Sequence, residues 1–117
     1  MKVILVSESP LLRQRLRKLL ETTGSAEVVA EVRSLGEAAL LLEFVSPAAV
    51  IVDFFLQGKQ WLDALKTIKL LYSKIEVIVL LHTDVHQYRK KLEQAGVDVI
   101  LDGAFEFETL PEVLQER

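Results

Sequence analysis

The chain has 117 residues, no cysteine, and 14 basic against 17 acidic side chains, a net charge of −3. That length supports one ordinary domain over residues 1–117 with one hydrophobic core, and a composition that is half hydrophobic and 26% charged excludes a disordered or low-complexity chain. The lack of cysteine removes disulfide frameworks, thiolate zinc sites and cysteine nucleophiles together, and fits a reducing, cytoplasmic location.

The first apolar run, Val3–Val6, is far too short for a signal sequence or a membrane span, so no membrane partner is expected. It reads as a strand. Leu12, Leu16, Leu19 and Leu20 then recur at helical spacing with Arg13, Arg15, Arg17 and Lys18 between them. A second buried strand spans Val28–Val32, and Ser34-x-x-Glu37 is a capping box opening a helix that ends before Ser46-Pro47. The third strand is Ala48–Val52, followed by a helix with Leu62, Leu65, Ile68 and Leu71 on its inner face. Val77–Leu81 is the fourth strand. The helix after it carries Val85, Tyr88, Leu92 and Ala95 and stops at Gly96. Val97–Leu101 is the fifth strand, and Glu108–Glu116 forms the last helix. Five unbroken apolar strands alternating with five helices imply a doubly wound α/β fold with a five-stranded parallel sheet, because parallel neighbours need crossovers and both faces need cover.

In such a sheet the chemistry sits at the carboxyl ends of the strands, where the strand order reverses. Glu8 and Asp53 follow the first and third strands, so two carboxylates are expected at one mouth, a set that suits magnesium with a backbone carbonyl near Phe55. Glu8 has a second reading, as a favourable charge at the start of the first helix. Asp53, next to Ala-Ala-Val-Ile-Val and Phe-Phe-Leu, needs a compensating partner.

Three segments, Val3-Ile4-Leu5-Val6-Ser7-Glu8-Ser9-Pro10-Leu11-Leu12-Arg13, Pro47-Ala48-Ala49-Val50-Ile51-Val52-Asp53 and Ala95-Gly96-Val97-Asp98, in this order and spacing, resemble the receiver domain of two-component response regulators, and the ending Leu101-Asp102-Gly103-Ala104-Phe105-Glu106-Phe107-Glu108, with Gln87-Tyr88-Arg89 upstream, resembles a group of small stand-alone receivers. The resemblance implies a flavodoxin-like fold with strand order 2-1-3-4-5, and Asp53 as acceptor of a phosphoryl group from a histidine kinase with Mg2+. It also implies departures. The acidic pair that holds the metal falls on Ser7 and Glu8, so one acid has become a hydroxyl and the site is weakened. The hydroxyl residue that binds the phosphoryl oxygen falls on Leu81, and the lysine that pairs with the acyl phosphate falls on Gly103. Loss of electrostatic stabilisation at such a site should be crippling.

Two readings therefore stand. The first is a degenerate receiver, no enzyme, that signals by protein contact with a kinase or downstream regulator without normal phosphorylation. The alternative is a working phosphoacceptor in which Glu8, Asp53 and His82 suffice. A third class, a metal-binding or catalytic domain, rests only on His82-x-Asp84-x-His86, which lacks the glutamate of the metalloprotease signature. His82 borders Asp53, where an imidazolium would partly replace the missing ammonium. The resemblance places docking or homodimerisation on the fourth helix, fifth strand and fifth helix, with Tyr88, Arg89, Glu106 and Glu112 as contacts, and kinase contacts on Leu11 and Arg15. Trp61, Phe54 and Phe55 read as core or groove packing, and Gly58 as a turn. No phosphate-binding glycine motif follows a strand, Glu8 opposes a flavin phosphate, and the acidic balance argues against nucleic acid as a partner.

Overall fold

The computed structural model describes residues 1–54, 60–82, 86–103 and 106–116. Within them five strands, β1 (Lys2–Val6), β2 (Glu27–Val32), β3 (Ala49–Phe54), β4 (Glu76–Leu81) and β5 (Val99–Asp102), form one parallel sheet in the order β2-β1-β3-β4-β5. The helices are α1 (Pro10–Thr23), α2 (Leu35–Leu41), α3 (Gln60–Leu71), α4 (His86–Gln94) and α5 (Leu110–Gln115), with a 3-10 turn at Phe107–Thr109. This is the doubly wound arrangement that the alternation of apolar runs implies, in the flavodoxin-like strand order that the resemblance implies.

Where length suggests one core there are two, because the sheet is covered on both faces and strand residues divide between them by parity. Ile4, Val6, Val50, Val52, Val77 and Val79 face α2, α3 and α4, meeting Leu35, Ala38, Leu65, Ile68 and Leu92. Val3, Leu5, Ala49, Ile51, Ile78 and Leu80 face α1 and α5, meeting Leu16, Leu20, Leu110 and Leu114. Burial on both faces explains why the central strands read as continuous Val, Ile and Leu.

Local signals place the boundaries. Ser9 caps α1, its Oγ accepting from the Leu12 N–H at 3.2 Å, and Pro10 occupies the first turn where no N–H donor is needed. Gly24 ends the helix at φ +67°, a left-handed conformation that glycine adopts without penalty. Ser34 Oγ accepts from the Glu37 N–H at 3.2 Å, as the capping box requires, and Glu37 reaches back to the Arg33 N–H at 3.0 Å.

Some boundaries differ from those read in the sequence. The third strand runs two residues further, so Asp53 lies inside β3, paired with Leu80. The fifth strand starts at Val99 because Val97 belongs to the turn closing α4, its N–H bonded to Leu92 O at 3.2 Å. At the fifth helix, Thr109 Oγ1 bonds Glu106 O, and the α-helix proper begins at Leu110 with Pro111 in its first turn. Leu71 is two-thirds exposed, and Tyr72 takes the inward position at the end of α3. A polar tie closes the opposite end of the sheet. Asp98 Oδ2 accepts from the Val77 N–H at 2.7 Å and from Lys69 Nζ at 2.9 Å, and Lys69 also donates to Ile75 O. No helix among the described residues is long and apolar enough to cross a membrane.

Candidate functional site

Because β1 and β3 are neighbours, the residue after Val6 and the residue after Val52 meet at the carboxyl edge of the sheet. They are Ser7 and Asp53, the two buried polar residues of the described chain. Ser7 Oγ donates to Asp53 Oδ2 at 2.8 Å and accepts from the Ser9 N–H at 3.1 Å. The Ser7 backbone is held as well: its N–H donates to Val32 O at 3.0 Å and its carbonyl accepts from Arg13 Nη1. The other carboxylate oxygen, Oδ1, is hydrogen-bonded to His82 Nε2 from the end of β4. Both oxygens of Asp53 are thus engaged within the chain. Burial pushes the Asp53 carboxyl above the usual aspartate range, and the Ser7 hydrogen bond and the His82 charge and hydrogen bond oppose that rise only in part.

Glu8 reaches the same mouth of the sheet as Asp53. It is exposed, and lines with Asp53 an open pocket of about 470 Å3 that also includes Arg33 and Trp61. Trp61 packs edge-on against Phe54 with ring centroids 4.2 Å apart, the groove packing expected of it. Leu81 is buried in the core next to Asp102 and offers no polar atom to the site. Gly103 faces the His82 ring: a Cβ built on it would lie 2.3 Å from His82 Cε1. Phe55, Gly58 and Asp84, and the side chain of His86, lie outside the described residues, so the His82/His86 pair is not described.

The donor set as arranged does not fit a magnesium ion. The Ser7 hydroxyl is already used by Asp53 and Ser9, both Asp53 oxygens have partners, and Glu8 points to a solvated pocket edge. Among the described residues, no three His, Asp or Glu side chains gather as a metal-holding group.

The surface candidates separate. Tyr88 and Arg89 are half-buried on α4, with Lys91 Nζ 5.9 Å from the Tyr88 ring centroid. Glu106 is spent inside the chain: its Oε1 accepts from the Asp102 N–H at 2.9 Å, closing the turn after β5. Glu112 is exposed on α5. Leu11 is exposed at the start of α1, and Arg15 stacks over Phe107, 5.6 Å from the ring centroid.

The response regulator receiver domain family matches residues 3–115. The chain is a response regulator receiver domain. This receiver is 30% identical over 117 residues to a nitrate/nitrite response regulator protein homolog of Haemophilus influenzae, covering all of this chain and 54% of that protein. It is 32% identical over 99 residues to the DNA-binding transcriptional activator EvgA of Escherichia coli, covering 84% of this chain and 48% of EvgA. The receiver thus spans about half the length of the curated relatives it matches. Among solved structures, a LuxR-family DNA-binding response regulator from Staphylococcus aureus superposes with a TM-score of 0.83 at 25% identity, over 98% of this chain and 96% of that one. These relatives correct the exclusion of nucleic acid as a partner. The net charge of a receiver reports only its own surface, whereas EvgA, named as DNA-binding, is a regulator roughly twice its length.

Proposed function

We propose that this receiver is a degenerate one, which works through protein contacts within a transcriptional two-component system without normal phosphorylation of Asp53. One observation supports the reading above others: both oxygens of the acceptor carboxylate are satisfied by Ser7 and His82, in the space where a metal ion and a phosphoryl group would have to be received. Leu81 and Gly103 supply neither the hydroxyl nor the ammonium that would stabilise the transferred charge. The relatives named as DNA-binding regulators suggest an output step on nucleic acid, carried by a DNA-binding module to which this domain is joined or docked.

A working phosphoacceptor has a specific observation in its favour: the aspartate is retained at the strand end, with an imidazole beside it that would accompany an added anion. Magnesium with beryllofluoride, read by Trp61 fluorescence, and magnesium with acetyl phosphate, read by intact mass, separate the two. The degenerate reading expects no saturable fluorescence change at millimolar reagent and no added mass. An added phosphoryl group that disappears in Asp53→Asn would overturn it.

A further inference from the structure

His82 and Gly103 come from adjacent strands, β4 and β5, and the glycine is not there for its backbone. The only positive-φ residues in the described chain are Gly24 and Gly96, so position 103 has a conformation open to any L-residue. What a side chain would lack is space. The three atoms nearest a Cβ at 103 all belong to the His82 ring: Cε1 at 2.3 Å, Nδ1 at 2.6 Å and Nε2 at 2.6 Å, all far inside van der Waals contact.

The backbone there has little room to retreat. The Gly103 N–H donates to Leu81 O at 2.9 Å, the Asp102 N–H donates to Glu106 Oε1 at 2.9 Å, and Asp102 O accepts from the Glu106 N–H at 2.8 Å. Any side chain at 103 must therefore displace the imidazole, and the imidazole is the partner of Asp53 Oδ1.

We infer that His82 is a latch on Asp53, a positioning residue whose ring holds the carboxylate in the volume that glycine at 103 leaves open. A side chain at 103 and the His82–Asp53 contact are mutually exclusive. The carboxylate becomes available to an incoming anion and cation only when the ring swings out, so the ring at 82 and the missing side chain at 103 form one coupled exchange. This deepens the degenerate reading and rests on it in taking the ring, not a phosphoryl group, as the resident partner of Asp53.

The test is a cycle of four versions of the 117-residue chain: wild type, Gly103→Ala, His82→Ala and the double variant. In urea unfolding, Gly103→Ala alone should lower the folding equilibrium constant by roughly five- to a hundredfold, the scale of forcing a methyl group into filled space. In the His82→Ala background the same methyl should change it by about threefold or less. If Gly103→Ala does not fold, folding of the double variant supports the latch and its failure overturns it. As a readout that a purely structural histidine would not improve, magnesium beryllofluoride titrated against Trp61 fluorescence should saturate at millimolar reagent in His82→Ala and not in wild type, a gain of about tenfold or more, since the competing internal partner is gone. Additive stability effects, or no gain in beryllofluoride affinity, overturn the inference. Phosphorylation of the wild type would instead overturn the degenerate reading, and the stability cycle would still decide the latch on its own.

Discussion

Restoring the missing acid gives the most direct measure of how the site balances its charges. In Ser7→Asp, a second carboxylate replaces a hydroxyl that now sits 2.8 Å from Asp53 Oδ2 and donates to it. Two like charges about 4 Å apart at an effective dielectric of about 20 repel by roughly 4 kcal/mol. Unfolding entropy of about 2.1 cal/mol/K per residue gives roughly 0.25 kcal/mol/K for this chain, so the variant should melt about 16 °C lower in EDTA at pH 7.5. Facing carboxylates have folded-state pKa values raised above their unfolded values, so their contribution is favourable below the unfolded pKa and is lost as pH rises through the folded ones. The deficit against wild type should accordingly shrink toward pH 4. Magnesium at a hundred times its dissociation constant would recover about 2.7 kcal/mol, or about 11 °C, whereas the wild type should gain about 2 °C or less. Differential scanning fluorimetry with and without the metal reads both numbers. Equal melting temperatures for variant and wild type in EDTA, or equal gains from magnesium, would refute the charge balance argued for Ser7 and Asp53.

Asp53→Asn should be more stable than wild type at pH 7.5, because burial raises the carboxyl pKa and the ionised form is the disfavoured one in the fold. That advantage should fade as pH falls and the wild-type carboxyl takes up its proton, which paired thermal melts across pH 4 to 8 would follow. Asp98→Ala removes the acceptor for the Val77 N–H and for Lys69, and should cost about 2–3 kcal/mol in urea unfolding. Asp98→Asn should recover part of this by keeping an oxygen for Val77. Arg17→Ala, by contrast, loses contacts to Glu21 and Glu31 that lie in solvent, and should cost less than about 1 kcal/mol, with the difference vanishing in 1 M salt.

Most of the fold is legible because burial on both faces leaves its mark on the sequence: strands such as Ala49–Val52 and Val77–Leu81 have no polar residue to place. The helix starts at Ser9 and Ser34 are equally plain, since a hydroxyl before an apolar periodic segment has a local partner a few residues away. The site was legible only as a set of strand ends. Asp53, His82 and Gly103 could be brought to one mouth by topology, but periodicity reports which way a residue faces and not which atom it touches. Ser7 meets Asp53 across 46 residues of sequence, and its hydroxyl, which reads only as a lost acid of the metal pair, serves the aspartate directly. Glu8 lines the same pocket as Asp53 but is exposed there, a difference in burial that position at a strand end does not reveal. Gly103 read only as a missing ammonium; that it is also a vacated volume depends on a neighbour two elements away. The nucleic-acid exclusion fails for a different reason, since charge is counted on a stretch that matches about half of EvgA, a regulator named as DNA-binding.

The two margins of the sheet carry a further consequence. β2 at one margin holds Glu27 and Glu31 in the exposed positions, with Arg13 and Arg17 gathered around Glu31, and β5 at the other is only four residues long. Unpaired backbone rows invite another molecule to extend the sheet, and charged or very short outer strands discourage it. Neutralising Glu27 and Glu31 together would leave Val-Val-Ala flanked by uncharged residues, and such a protein should be prone to self-association on concentration even while each molecule keeps its fold.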